Sequence, residues 1–245
     1  MKIPKCLLSC LTALSLAQTA SASTVIAIPG LVGGASDYAP FSIVAPDSFR
    51  YQQVYGASAF SPISQGGLIT ALGFNLASPQ DSGGLLPDIQ IDFSTTSKPV
   101  DGLSTTFAAN VGGDDTIVLA RGLLPMQNNN PNAPSGFGVQ VTLTTPFFYN
   151  PAAGNLLMDV RYYQGATPGV APGPFDASTS AGDSVSRVSA FNVGDATGTA
   201  DTAGLRTAFV VTPVPEPGSI LLLLAGLAVL AIFIRPSTLR RTRQN

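Results

Sequence analysis

The chain has 245 residues, with 25 glycines, 20 prolines, few charges, and no histidine or tryptophan. Its only cysteines, Cys6 and Cys10, lie close to the N-terminus. That excludes His-based triads and dyads and, beyond the N-terminal segment, thiol nucleophiles, disulfides and Cys-ligated metals. Between residues 23 and 212, thirteen aspartates face six basic residues, a balance of −7. An acidic surface of this kind argues against nucleic acid as a partner, because phosphate binding needs a basic face.

In chain order, Lys2 and Lys5 precede an apolar run over 6–17 and then Ala20-Ser21-Ala22. A basic start, a short apolar core and an A-x-A site predict a secretory signal peptide over 1–22, cut after Ala22 with Ala20 and Ala22 forming the small-residue site. The following stretch shows strand periodicity. Strands are expected at 24–28, 49–55, 68–76, around Ile89, Ile91 and Phe93, at 116–120, around Val139, Val141 and Leu143, around Leu156, Met158, Val160 and Tyr162, at 185–191, and at 205–211. Loops are expected at 78–87, 125–136 and 165–183, where Pro, Gly, Asn and Ser concentrate. About nine strands without an amphipathic helix predict an all-β ectodomain over 23–212, an antiparallel β-sandwich of jelly-roll type.

The C-terminal part, 213–245, reads Val214-Pro215-Glu216-Pro217, then an uncharged apolar segment, then Arg235, Arg240, Arg241 and Arg243. An apolar segment over 218–234 is close to the lower length limit for a transmembrane helix. The arginine cluster would stay cytoplasmic, which places the bulk of the chain outside the inner membrane. Pro215 and Pro217 fix φ and hold the backbone extended around Glu216, the only glutamate in the chain. The alternative reading is a plain single-pass anchor.

This three-part tail resembles the PEP-CTERM protein-sorting signal. The resemblance implies general secretion, cleavage near Pro-Glu-Pro by a membrane-embedded exosortase, and an inner-membrane-anchored precursor that ends on the cell surface or outside the cell. It also implies an association with bacteria that make exopolysaccharide or biofilm. The stretches Gly154-Asn155-Leu156-Leu157-Met158-Asp159-Val160-Arg161 and Gly182-Asp183-Ser184-Val185 are similar to segments of uncharacterised PEP-CTERM proteins, which name no activity.

No set of residues selects a reaction, and the chain is expected not to be an enzyme. Gly182-Asp183-Ser184 lacks the His base that a GDS-type hydrolase needs, so Ser184 is read as a strand-entry residue. Asp88 and Asp92 lie four apart on one predicted strand, roughly 13 Å, too far to share a ligand. No cofactor is required. Calcium is the metal that suits an exported acidic domain, with Asp114, Asp115, Asp195 and Asp201 in Gly- and Asn-containing loops as the candidate ligands. A carbohydrate-binding role would use tyrosines as stacking platforms, with Tyr51, Tyr55, Tyr162 and Tyr163 as candidates.

Overall fold

The structure is a computed structural model that describes residues 22–30, 35–44, 47–78, 81, 83–165, 171–214, 226, 227 and 230. Thirteen strands run in the order β1 (Thr24–Ile28), β2 (Ala35–Asp37), β3 (Phe49–Tyr55), β4 (Gly67–Phe74), β5 (Gly84–Thr96), β6 (Thr116–Met126), β7 (Val139–Tyr149), β8 (Asn155–Gln164), β9 (Phe175–Ser178), β10 (Val185–Ala190), β11 (Thr199–Asp201), β12 (Gly204–Leu205) and β13 (Thr207–Pro213). All named pairings are antiparallel. The other regular elements among the described residues before 214 are three short 3-10 turns, including 57–63 between β3 and β4.

Two sheets face each other. One has the order β1-β13-β4-β7 and the other β11-β10-β3-β8-β5-β6, while β12-β9-β2 forms a small third sheet. The pleat explains the division of residues. Tyr51 and Tyr55 of β3, Ile91 and Phe93 of β5, and Met158 and Val160 of β8 share one core with Ile69 of β4, Val141 of β7 and Phe209 of β13. Edge-to-face rings lock the sheets together: Tyr55 meets Phe209 with centroids 4.8 Å apart, and Phe93 meets Phe147 at 5.7 Å. Each such ring buries apolar area worth about 1.5–3 kcal/mol, and the ring pairing adds roughly 0.5–1.5 kcal/mol. Phe60, from the turn after β3, fills one end of the core against Tyr149 and Phe209.

The outer face of the six-stranded sheet is also covered. Leu103 and Phe107, from the β5–β6 connection, pack on Val54, Leu157, Val188 and Ala190 to form a second, smaller core. The four-stranded sheet differs in character, since none of its four strands contains a charged residue.

The strands predicted at 24–28 and 49–55 have the observed bounds. Two loop expectations are corrected. Segment 78–87 is not all loop, because β5 begins at Gly84 and passes through Pro87, where the pairing with β6 shifts register and no amide donor is needed. Segment 165–183 contains β9, which pairs with β2 and β12. Its four residues carry too little alternation to announce a strand.

Candidate functional site: the exit strand and a closed charge network

The chain leaves the fold along β13. On one side β13 pairs with β1, Thr24 opposite Val211 and Ile28 opposite Thr207. On the other it pairs with β4, Thr212 opposite Leu68 and Pro213 opposite Gly67. One further backbone bond follows, from Val214 N–H to the Gly66 carbonyl at 3.3 Å. Glycine is required here for two reasons. Gly66 has φ +91°, and a Cβ on Gly67 would stand 2.6 Å from Val211 Cγ1 and 3.0 Å from the Thr212 carbonyl oxygen. Val214, the residue before the Pro-Glu-Pro motif, is thus tied to the sheet by its own backbone bond. Because β1 is the antiparallel neighbour of β13, Ala22 and Ser23 lie at the same end of the sandwich as Val214.

Of the predicted sorting and leader residues, Val214 and Ala22 are described, and both are exposed. Ala20, Pro215, Glu216, Pro217, Arg235, Arg240, Arg241 and Arg243 lie outside the described residues, as does most of the apolar segment 218–234. Within that segment Gly226, Leu227 and Leu230 are helical. No helix among the described residues is long and apolar enough to cross a membrane.

The four candidate calcium ligands do not converge. Asp114 is taken up by β5, accepting from Thr95 N–H and Thr95 Oγ1 at 2.6 Å each. Asp115 is exposed, and partial desolvation holds its carboxyl above the usual carboxylate range although Arg161 opposes this. Asp195 sits in a turn, its N–H bonded to the Asn192 carbonyl. Asp201 accepts from Arg187 Nε at 2.9 Å, and Arg187 also binds Asp37. Among the described residues no three acidic side chains assemble as a metal-binding group.

The tyrosine expectation is corrected. Tyr51, Tyr55 and Tyr162 are fully buried on the inward side of their strands. Burial pushes the Tyr51 and Tyr55 hydroxyls well above their ordinary range. Tyr51 donates to Gln53 Oε1, and Tyr55 shares a 2.8 Å hydrogen bond with Thr207 Oγ1. Tyr163 is half-buried with the Arg121 guanidinium 3.6 Å over its ring. Asp88 is held by the same arginine at 2.8 and 2.7 Å, which keeps its carboxyl below the usual range. Ser184 precedes β10 with φ +79°, and its carbonyl accepts from Gly56 N–H.

What sequence reasoning missed is a charge network on the covered face of the large sheet. Asp92 of β5 stands opposite Asp159 of β8. Arg161 binds Asp92 at 2.8 Å and Asp159 at 3.4 Å, while Arg50 reaches Asp159 at 2.9 Å. Gln52 donates to Asp159 at 2.9 Å and Gln90 to Asp92 at 2.8 Å. Asn110, from the covering loop, donates to Gln52 Oε1 at 3.0 Å, and Arg50 lies 4.5 Å over the Phe107 ring. Burial raises the Asp92 carboxyl, with Gln90 and Arg161 pulling it back. Arg161 is held above its ordinary range by Asp159 and Asp92 despite its own desolvation. Both carboxylates are only 2 % exposed, and each is occupied by an arginine and a glutamine. Two such groups have no open approach for a substrate, and the network acts to pin the loop to the sheet.

In the chain, the last strand of the sandwich is followed by Pro-Glu-Pro, an apolar segment and a basic end, the layout of a C-terminal sorting signal. Residues 213–241 match the family model for the PEP-CTERM protein-sorting motif. The chain thus bears that motif, which implies exosortase processing and a secreted, membrane-anchored precursor. The match begins at Pro213, the last residue of β13. No curated protein and no solved structure matches the chain.

Proposed function

We propose that the chain is a structural or adhesive protein of the cell surface or extracellular matrix, linked to exopolysaccharide or biofilm and delivered by exosortase processing of its tail. In this reading residues 1–22 are the secretory leader, 23–212 a jelly-roll-like ectodomain, and 213–245 the sorting signal with its membrane helix over 218–234. The four-stranded and six-stranded antiparallel sheets that face each other support the sandwich part of this reading. The ectodomain is assigned no reaction and no required cofactor.

The observation that carries the proposal is the match of residues 213–241 to the sorting-motif model, which begins at Pro213, the last residue of β13. A cleavable signal needs extended backbone, and a Pro-Glu-Pro sequence favours it because each proline fixes φ. The alternative, a calcium-assisted carbohydrate-binding module, loses Tyr51, Tyr55 and Tyr162 to the core and keeps only Tyr163 of its four candidate tyrosines.

The test is to express the full chain in cells that carry an exosortase, with residues 215–217 intact or replaced by alanine. The intact chain is expected to lose its tail and leave the inner membrane, and the altered chain to remain there at full mass. Equal mass and location for both would end the sorting reading. Pull-down of the released protein with exopolysaccharide, with and without calcium, then tests the matrix role.

A further inference from the structure

Where β13 ends, the surface is apolar. Leu68 of β4 and Phe148 of β7 are register partners on the outer face of the four-stranded sheet, 42 % and 51 % exposed. Val214 is 42 % exposed and hydrogen-bonded to Gly66, the residue against which the Phe148 ring lies. Val25 of β1, 44 % exposed, continues the patch beside β13. Large apolar groups standing together in solvent mark a contact surface. The strands around them carry no charge, whereas those of the six-stranded sheet contain Arg50, Asp88, Asp92, Arg121, Asp159, Arg161, Arg187 and Asp201.

The reach of the tail decides what covers this patch. Three residues, 215–217, separate Val214 from the apolar segment at 218. Fully extended they span roughly 10–14 Å. The headgroup layer on one side of a bilayer takes up about 5–8 Å of that. An anchored precursor therefore holds the β13 end of the sandwich against the membrane surface. An uncharged face with an exposed aromatic suits that interface, where aromatic rings settle at headgroup level and charges are costly.

We infer that Leu68, Phe148, Val214 and Val25 form a docking surface that seats the ectodomain on the lipid bilayer while the precursor remains anchored. This rests on the reading of the tail as a membrane anchor. Seating holds Val214, the residue before the Pro-Glu-Pro motif, at the membrane surface, within reach of a membrane-embedded protease. Release of the tail then removes the tether, and the patch alone holds the domain only weakly.

The native chain has no tryptophan, so one introduced indole reports one position. The full-length Phe148→Trp chain is reconstituted into vesicles of phosphatidylethanolamine and phosphatidylglycerol, with and without brominated acyl chains. Phe191→Trp, at the far end of β10 from Val185 and 81 % exposed in the native residue, is the comparison. The Phe148→Trp indole is expected to shift to the blue and to be quenched by bromine at least about twofold more than that at 191. Leu68→Trp repeats the measurement on the neighbouring strand, so that poor folding of one variant leaves the other to decide. If the chain floats with the vesicles but both patch indoles quench no more than the one at 191, the docking surface is overturned. A blue shift without bromine quenching, together with cross-linked dimers, assigns the patch to a second copy and also overturns it. A chain that fails to float at all overturns the anchored-precursor reading instead, and flotation tells that failure apart from the others.

Discussion

Asp92 and Asp159 stand opposite each other on adjacent strands, and Arg161 binds both. Two buried like charges at this spacing repel unless a cation lies between them. Arg161 therefore neutralises a pair that the sheet itself brings together, while Arg50 and Gln52 also bind the Oδ2 of Asp159. The consequence is mechanical: Gln52 and Asn110 extend the network into the covering loop, so the charges and the loop stand or fall together.

Arg161→Met removes the bridge, leaving the buried Asp92 without its arginine and Asp159 with Arg50 alone. The expected cost is about 3–5 kcal/mol, the range for breaking one side of a buried ion pair. Denaturant unfolding of the detergent-solubilised full chain measures it. A loss within about 0.5 kcal/mol, typical of a surface substitution, would show that the network carries no load.

The pH response of Asp92 has a definite sign. Its folded-state carboxyl is raised above the ordinary value of 3.8, chiefly by burial. In the window between those two values the folded state binds more protons than the unfolded chain, so this group's contribution is largest below 3.8 and is lost as pH rises through the raised value. Asp92→Asn removes the dependence. The unfolding midpoint of the variant, relative to native, is expected to rise between pH about 4 and pH about 7. A relative midpoint that falls over the same interval would mean that Arg161, not burial, dominates the site.

Thr207→Val tests the joint between the two sheets. Thr207 Oγ1 is the 2.8 Å partner of the buried Tyr55 hydroxyl, whose other neighbour is Met158 Sδ at 3.9 Å. Valine keeps the shape and removes the polar partner, so about 1–3 kcal/mol should be lost. In Tyr55→Phe/Thr207→Val much of that loss should return, because no buried hydroxyl is then left wanting. Thermal unfolding of the single and double variants decides it, and equal losses in both would place the effect in packing.

The alternation of apolar and polar residues made β1 and β3 legible to their ends, because β-branched and aromatic side chains mark each inward position. The strands β2, β9 and β11 were not legible. Sequences such as Ala-Ser-Asp or Thr-Ala-Asp have no apolar stripe, and they are strands only because a neighbour supplies the ladder. The alternation also exposed Gln90, Asp92 and Ser94 as one polar face of β5, but a polar face ordinarily reads as solvated. That it is buried, with Gly112 N–H of the β5–β6 connection bonded to Ser94 Oγ, depends on where a long connection lies down, which no local pattern encodes. Tyr51 and Tyr55 misled for the converse reason: a tyrosine suits either a wet platform or a core with one hydrogen bond, and here each hydroxyl has its partner inside. The tail was legible because its three parts follow each other in the chain and need no fold to be recognised.

Gly67→Ala probes how tightly the exit strand is held. The added methyl carbon would meet Val211 Cγ1 at 2.6 Å and the Thr212 carbonyl oxygen at 3.0 Å, and the second of these is backbone. Either β13 lifts from β4 or the pair strains, and the expected cost is about 1–3 kcal/mol. The strain falls at the end of β13, where only the Pro213–Gly67 pairing and the Val214 bond remain to hold the chain. The last residues of the strand should therefore fray before the rest of the sandwich loosens. Limited proteolysis of the full chain is expected to cut near residue 213 faster in the variant than in the native protein, with the interior strands protected in both. Exosortase processing in cells should accelerate in the same direction, since more extended backbone precedes Pro-Glu-Pro. If cutting and processing keep their native rates while stability falls, the methyl group is absorbed in the core and the exit strand is not the point at which the fold controls access to its sorting signal.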